Sequence, residues 1–351
     1  MGAVKFKNRR AVQIENDIFR VTVLEEGGHI AEIFDKRANV SPLWIPKWDS
    51  LEPSSYSLDR SEEFGTGPDA KLLAGIMGHN VCLDIFGVPS PEEERLGLTV
   101  HGEASVDPYE ISEGGARLTQ NVTLRLAQLK YTRKIELKSK GLRIRELVEN
   151  LCGVDRPIAW TQHVTLGPPF LHPATTDFRA SMTRSVVSDS DPGLNAYLRL
   201  GEEFAWPSAP RSDGGRADLQ RMYAFAPASS YTAHLADPSR EHAFFITFSP
   251  HYQLAFGYIW KRNDFPWMGI WEENSSRQAP PWKGREVTRG MEFGVSPFPE
   301  SRRAMVDRNQ LLGVPSFRWI GAGETIEVEY WIVSEPAGAI PESLGWPDDA
   351  T

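Results

Sequence analysis

The stretch of residues 118–148 constrains the fold most, because apolar and polar residues alternate there in three successive runs. The runs cover residues 118–126, 129–137 and 142–148, and a Ser139-Lys140-Gly141 turn precedes the last. Alternation with a period of two is typical of strands that bury one face. Because the connections are short, the runs are predicted to pair as an antiparallel meander.

Strand patterns recur along most of the chain, whereas helical patterns are scarce. Further strands are predicted at residues 19–24, 29–35, 242–248, 253–260 and 325–333. Residues 301–311 are the best helix candidate, and residues 272–289 are predicted to be a loop. No internal repeat or low-complexity linker divides the chain. We therefore predict an all-β fold, a large antiparallel β-sandwich with few short helices. It would be one domain over residues 1–351, with its core at about residues 10–335.

Composition and charge exclude several classes of function. The 351 residues are 40% hydrophobic and 24% charged, which is typical of a globular protein. The net charge is -9 and the cations are scattered, so a nucleic-acid partner is not expected. No apolar run approaches the roughly 18 residues of a membrane span, and residues 1–10 lack the apolar segment of a secretory signal. We expect a cytoplasmic monomer or homodimer without a membrane partner.

The two cysteines, Cys82 and Cys152, each lie among apolar neighbours. We expect both to be buried free thiols, because no C-x-x-C spacing indicates a zinc site.

Two histidines lie at positions where the backbone turns. His163 ends a strand-like run, and a Gly167-Pro168-Pro169 break follows it. His101 directly precedes Gly102, which lets the backbone turn after the imidazole. Taken alone, each histidine is explained more simply as a structural or solvent-exposed residue. They become candidates for chemistry only in combination with other polar residues of the chain.

A single glutamate near the end of the chain has unusual neighbours. Glu292 is flanked by Met291 and Phe293 and lies between two glycines. Charged groups rarely have apolar surroundings without a partner. Glu292 is therefore a candidate for chemistry, although strand alternation would also allow it to face water.

The ordered set of two histidines and a glutamate in an all-β chain resembles the galactose mutarotase-like superfamily, which includes the aldose 1-epimerases. The segments that carry the resemblance are residues 27–35, 78–102, 131–150, 160–170 and 291–292. The resemblance implies the large sandwich of that family, its supersandwich, with the active site in a concave face. It also implies that Glu292 is the general base, His163 the general acid, and His101 the residue that binds and polarises the substrate.

The chemistry that this resemblance implies is mutarotation of a sugar. One proton is removed from the anomeric hydroxyl and one is delivered to the ring oxygen, with no redox change. A glutamate and an imidazole can do both near neutral pH. We therefore expect no cofactor, and a small-molecule sugar as the partner.

The chain departs from the family in its expected substrate contacts. The family commonly has an Arg-Asn pair where this chain reads His79-Asn80, so both residues are candidate substrate contacts in an altered form. Asp264 is the candidate for the family's aspartate that contacts sugar hydroxyls. As an alternative, His79, His101, His163 and Glu292 could together hold a divalent metal ion.

Tryptophans cluster shortly before Glu292. They are Trp260, Trp267, Trp271 and Trp282. Sugar C–H faces stack on indoles, although core packing explains any one of them more simply. Trp271 is the best candidate for a ligand contact, because polar residues follow it directly. The nearby Arg277, Lys283 and Arg285 could bind an acidic sugar or could be ordinary surface cations.

We therefore predict an aldose 1-epimerase-like isomerase that acts on a free or lightly modified sugar. Two alternatives stay open. One is a non-catalytic carbohydrate-binding protein on the same fold, and the other is a metal-dependent lyase or isomerase of sugar acids.

Overall fold

The computed structural model describes residues 4–190 and 195–347, and strands dominate it. In chain order the strands are β1 (Val4–Phe6), β2 (Arg9–Glu15), β3 (Phe19–Leu24), β4 (Ile30–Asp35), β5 (His79–Asp84), β6 (Glu110–Gly114), β7 (Arg117–Leu124), β8 (Leu129–Leu137), β9 (Gly141–Asn150), β10 (Arg156–Leu166), β11 (Asp177–Ala180), β12 (Met182–Val187), β13 (Glu203–Ala205), β14 (Ser208–Pro210), β15 (Arg216–Asp218), β16 (Ala228–Ala236), β17 (His242–Ser249), β18 (Leu254–Lys261), β19 (Trp267–Asn274), β20 (Val287–Gly294), β21 (Gln310–Leu311), β22 (Val314–Pro315), β23 (Arg318–Ile320) and β24 (Thr325–Pro336). The α-helices within the described ranges are α1 (Ser61–Phe64), α2 (Ala70–Gly75), α3 (Pro91–Arg95) and α4 (Arg302–Arg308). Short 3-10 helices cover Pro53–Ser55, Leu58–Arg60 and Glu103–Ser105.

Two large antiparallel sheets form the body of the molecule. The larger sheet has the strand order β1-β2-β3-β4-β5-β10-β20-β19-β16-β12-β13, and β23 pairs with the start of β10. The smaller sheet has the order β11-β17-β18-β24-β9-β8-β7-β6. The predicted all-β sandwich with few short helices is therefore confirmed.

The facing sides of the two sheets enclose a shared hydrophobic core. The predicted meander contributes to it in the expected register, with Leu118 opposite Ile135 and Ile135 opposite Ile144. From the larger sheet, Trp160 and Val164 of β10 meet these residues. Full burial of one such side chain contributes about 1.5–3 kcal/mol, so this core is the main stabilising feature.

Two local predictions need correction. The predicted loop at residues 272–289 is shorter, because β19 continues to Asn274 and β20 begins at Val287. Glu272 belongs to β19 although it is charged, because the hydroxyl of Tyr197 donates a hydrogen bond of 2.6 Å to its carboxylate. The predicted helix begins where expected but ends at Arg308.

Two further predictions concern the cysteines and membrane-spanning segments. Cys82 is a buried free thiol as predicted, whereas Cys152 is a half-buried free thiol in the turn after β9. Its sulfur donates to the side chain of Gln128 at 2.7 Å. In residues 4–190 and 195–347, no helix has the length and apolarity that a membrane span requires.

A network of buried polar side chains joins the two sheets beneath β10. The guanidinium of Arg133 donates to Glu146 at 2.8 Å, and both side chains are at most 1% exposed. The same carboxylate accepts hydrogen bonds from Gln162 at 2.6 Å and from the Tyr330 hydroxyl at 2.8 Å. Because a buried carboxylate needs such partners, the network fixes the position of Gln162, the residue before His163.

Two buried histidines predict how stability depends on pH. Burial lowers the pKa of His29 to about 3, with a smaller contribution from Arg9, and burial also lowers the pKa of His234 to about 3. In the unfolded chain both pKa values are near 6.5, so only the unfolded state binds these protons between about pH 3 and 6.5. Each histidine therefore supports folding fully above pH 6.5. As the pH falls from 6.5 towards 3, each buried histidine lowers the free energy of unfolding by about 1.4 kcal/mol per pH unit.

We expect the urea midpoint of unfolding to fall between pH 7 and pH 5, and the His234→Asn variant to show a shallower fall than the wild-type protein. Carboxylates contribute equally to both proteins, so the difference between the slopes reports on His234. Equal slopes would contradict this interpretation.

Candidate active site

A cavity of about 480 Å³ opens on the face of the larger sheet that points away from the shared core. Strand pairing brings its polar floor together. On β10, His163 lies opposite Asn80 of β5, and Gln162 lies opposite Phe293 of β20. Glu292, one residue before Phe293, is therefore the cross-strand neighbour of His163.

Glu292 and His163 contact each other directly on this floor. The distance from His163 Nε2 to Glu292 Oε1 is 3.1 Å. His163 is 5% exposed and Glu292 is 2% exposed. Because a carboxylate only accepts, the Nε2 atom of His163 is the donor in this contact. The hydroxyl of Thr165 lies 3.1 Å from the other ring nitrogen. The pair is thus a hydrogen-bonded imidazole and carboxylate at the floor of the cavity.

Strand alternation explains why Glu292 reaches the cavity. Its neighbours Met291 and Phe293 point the other way and belong to the shared core. Alternation thus directs Glu292 away from the core, where a side chain would be exposed if nothing covered that face of the sheet. The loops over this face cover it instead, so that it is buried at the cavity floor.

His101 enters the cavity from a turn rather than from a strand. Its backbone has a φ of 69°, in the left-handed region that few side chains adopt, and the following Gly102 has a φ of 77°. The His101 and His163 rings lie 4.6 Å apart. Burial, and secondarily the neighbouring His163, lowers the pKa of His101 well below its usual range. His101 is therefore neutral at physiological pH.

Asn80 contacts His101 rather than the cavity. Its side-chain amide nitrogen lies 3.2 Å from His101 Nδ1, and the residue is fully buried. An amide N–H donor at Nδ1 leaves the proton of the neutral imidazole on Nε2. Asn80 therefore sets the tautomer in which His101 acts as a donor at its other nitrogen.

Aromatic side chains and a cation line one wall of the cavity. The Trp271 and Trp282 rings meet edge to face, with centroids 5.8 Å apart. The guanidinium of Arg277 lies over both rings, at 5.2 Å from Trp271 and 4.9 Å from Trp282. The buried carboxylate of Glu286 supports this wall, because it accepts a 2.9 Å hydrogen bond from Trp44, which stacks on Trp282. Leucines of α2 form another part of the lining.

Of the four predicted substrate contacts, Trp271 lines the cavity and three residues do not. His79 is fully buried between the sheets, where its ring nitrogens face Gln162 at 3.0 Å and the Tyr258 hydroxyl at 3.3 Å. The reason is strand alternation, since Asn80 and His79 point to opposite faces of β5. Asp264 lies in the turn after β18, where its neighbouring charges are Arg318 and Lys261.

The alternative metal site does not form as the sequence suggested. His79 is separated from His101, His163 and Glu292 by the sheet itself. In the described part of the chain, no group of three or more histidine, cysteine, aspartate or glutamate side chains is arranged to hold a metal ion.

Tyr231 is a cavity residue that the sequence interpretation missed. It comes from β16, and its hydroxyl donates to Glu292 Oε2 at 3.2 Å. Its strand is buried on both faces and mixes polar with apolar residues on each, so no alternation marks the residue. The register between β16 and β19, which places Tyr231 opposite Trp271, is the signal that would have found it.

Solved structures give an independent view of this architecture. A protein from Klebsiella pneumoniae subsp. pneumoniae MGH 78578, provisionally assigned as an aldose 1-epimerase, is 13% identical, with a TM-score of 0.65 over 95% of this chain and 82% of that one. A galactose mutarotase-like protein from Clostridium acetobutylicum is 13% identical, with a TM-score of 0.64 over 95% and 98% of the two chains. One from Lactobacillus casei ATCC 334 is 15% identical, with a TM-score of 0.56 over 93% and 100%. The chain has the galactose mutarotase-like fold.

No family model and no curated protein matches the sequence. At the identities of the solved structures, similarity establishes the galactose mutarotase-like fold alone.

Gly269 makes room for the side chains on the floor of the cavity. A Cβ atom on Gly269 would lie 2.1 Å from the Tyr231 hydroxyl and 3.5 Å from Glu292 Oε2. We expect Gly269→Ala to displace Tyr231 and to lower the free energy of unfolding by about 1–3 kcal/mol, as overpacking typically does. Gly114→Ala is the control, because no atom lies within 4 Å of its Cβ position. Equal urea midpoints for the two variants would contradict the prediction.

Proposed function

We propose that the protein is an aldose 1-epimerase-like isomerase that interconverts the anomers of a sugar without a cofactor. The observation that carries the proposal is the direct contact of Glu292 with His163, at 3.1 Å, on the floor of the cavity. A base and an acid side by side are what ring opening of a sugar requires, because the anomeric hydroxyl and the ring oxygen are attached to the same carbon.

The proposed reaction moves two protons and breaks one C–O bond. Glu292 accepts the proton of the anomeric hydroxyl while His163 donates a proton to the ring oxygen, and the bond from that oxygen to the anomeric carbon breaks. The open-chain aldehyde forms, and rotation about the adjacent C–C bond presents its other face. Ring closure then returns the proton to His163, and Glu292 protonates the new anomeric hydroxyl. Each of the two groups is expected to contribute about 10²–10⁴-fold.

The remaining groups of the cavity support binding of the sugar. Neutral His101 donates from Nε2, which suits a hydroxyl or the oxygen that becomes the aldehyde. The indoles of Trp271 and Trp282 offer faces for the C–H side of a sugar ring. Arg277 and Asp69 line the same cavity and can hydrogen-bond to hydroxyl groups. The volume of about 480 Å³ lies within the usual range for small-molecule sites.

Anomer exchange in the presence of the wild-type protein tests the proposal. We expect polarimetry and NMR exchange spectroscopy on a panel of neutral aldoses, sugar phosphates and sugar acids to show faster interconversion for at least one sugar. Buffer alone and the heat-unfolded protein serve as controls. Saturable binding of a sugar with no acceleration would contradict the proposal and would favour a carbohydrate-binding protein instead.

A further inference from the structure

The approach of Tyr231 to Glu292 is built into three adjacent strands. Tyr231 belongs to β16, Glu292 belongs to β20, and β19 lies between them. The phenol spans β19 at Gly269, where any side chain would collide with its hydroxyl. At 6% exposure, Tyr231 is fixed by apolar neighbours that include Phe298, whose ring centroid lies 6.1 Å away. The hydroxyl is thus aimed at the carboxylate by the sheet.

The two oxygens of Glu292 consequently have different partners. Oε1 lies 3.1 Å from His163 Nε2, and Oε2 accepts from the Tyr231 hydroxyl at 3.2 Å. Burial, and secondarily Glu292, raises the pKa of Tyr231 well above its usual range, so the phenol keeps its proton and remains a donor. A hydroxyl donor on one oxygen of a carboxylate orients the group and stabilises its charged form more than its protonated form.

We infer that Tyr231 is a positioning residue, which holds the carboxylate of Glu292 in place through Oε2 and leaves Oε1, beside His163, to accept the proton of the substrate. This inference rests on the proposed function. In this role the phenol of Tyr231 orients the carboxylate of Glu292. The proton of the anomeric hydroxyl is then accepted next to His163, which protonates the ring oxygen.

The other groups around Glu292 do not take over this role. Among the described residues, the titratable side chains that face it are His163 from β10, Tyr231 from β16 and the Cys82 thiol from β5. Burial, and secondarily Glu292, raises the pKa of Cys82 well above its usual range, so the thiol is neutral. From β19 the nearest residue is Gly269, which carries no side chain. His101 lies behind His163 and is neutral.

The test compares Tyr231→Phe with the matched control Tyr197→Phe. Tyr197 also donates to a buried carboxylate, Glu272 at 2.6 Å, but neither residue lines the cavity. The first readout is the acid limb of kcat/KM for anomer exchange. The second is the titration of the Glu292 carboxyl carbon by ¹³C NMR, assigned with Glu292→Gln. We expect both midpoints to move up by about one to two pH units in Tyr231→Phe and to stay in place in Tyr197→Phe.

The two readouts separate the inference from the proposed function. If no sugar exchanges its anomers in the wild-type protein, the proposed function fails, whereas the carboxyl titration still reports on the Tyr231 contact. Exchange with an unmoved acid limb and an unmoved titration would overturn the inference. Gly269→Ala keeps the phenol but displaces it, and it should reproduce the shift. An unshifted titration in that variant, with the phenol displaced, would also overturn the inference.

Discussion

Replacing Glu292 with glutamine is expected to lower the rate of anomer exchange by about 10²–10⁴-fold, the usual contribution of a general base. Glutamine has the same shape and can still accept from the Tyr231 hydroxyl, which now donates to Oε2 at 3.2 Å. It cannot take a proton from the anomeric hydroxyl. The loss should therefore fall on kcat, with sugar binding retained.

Rate and binding have to be measured on the same variant. NMR exchange spectroscopy gives the interconversion rate, and calorimetric titration gives the affinity for the same sugar. Glu136→Gln is a suitable control, because Glu136 belongs to the smaller sheet and pairs with the exposed Arg117. If Glu292→Gln leaves exchange unchanged for every sugar that binds, Glu292 is not the base.

The second large effect is expected on stability, at the ion pair between the sheets. Arg133→Met leaves the Glu146 carboxylate buried at 0% exposure without its cation. Removing one partner of a buried pair typically costs about 3–5 kcal/mol. We expect a loss of this size in the free energy of unfolding from urea denaturation. Anomer exchange should slow as well, because the network also holds Gln162 beside His163.

A double-mutant cycle separates the charge effect from the loss of packing. Adding Glu146→Gln to Arg133→Met removes the uncompensated charge. It keeps one acceptor oxygen, for either Tyr330 or Trp160, which donate to different oxygens of the carboxylate. The double variant should be more stable than Arg133→Met alone. Arg117→Met is the control, because Arg117 pairs with Glu136 at 2.7 Å but is 74% exposed, and such pairs contribute at most about 1 kcal/mol. Similar losses for the buried and exposed pairs would contradict the account.

The sequence predicts those parts of the fold in which one face of a strand is buried and the other is wet. The meander and β24 are of this kind, and their alternation is visible in the residues. Strand β16 was not predicted, because both of its faces are buried. Its sequence mixes polar and apolar residues on each face, so it lacks the period-two alternation that indicates a strand.

The sequence predicted which residues are the catalytic candidates of the site, but it predicted the residues that support them less well. Glu292, His163 and His101 do meet, although their roles remain predictions. His79 and Asn80 are adjacent in sequence, and only the direction of the strand decides that one enters the core and the other contacts His101. The position of Tyr231 beside Glu292 depends on the register of three strands, which the pattern of a single sequence does not reveal.

The most direct test of the central claim is a structure of Glu292→Gln with a sugar whose anomers the wild-type protein interconverts. We expect the anomeric hydroxyl within about 2.6–3.2 Å of the side chain of residue 292 and the ring oxygen within the same distance of His163 Nε2. The C–H face of the ring should lie against Trp271 or Trp282. A sugar bound in the cavity with its anomeric carbon away from both groups, or bound only elsewhere on the molecule, would contradict the account.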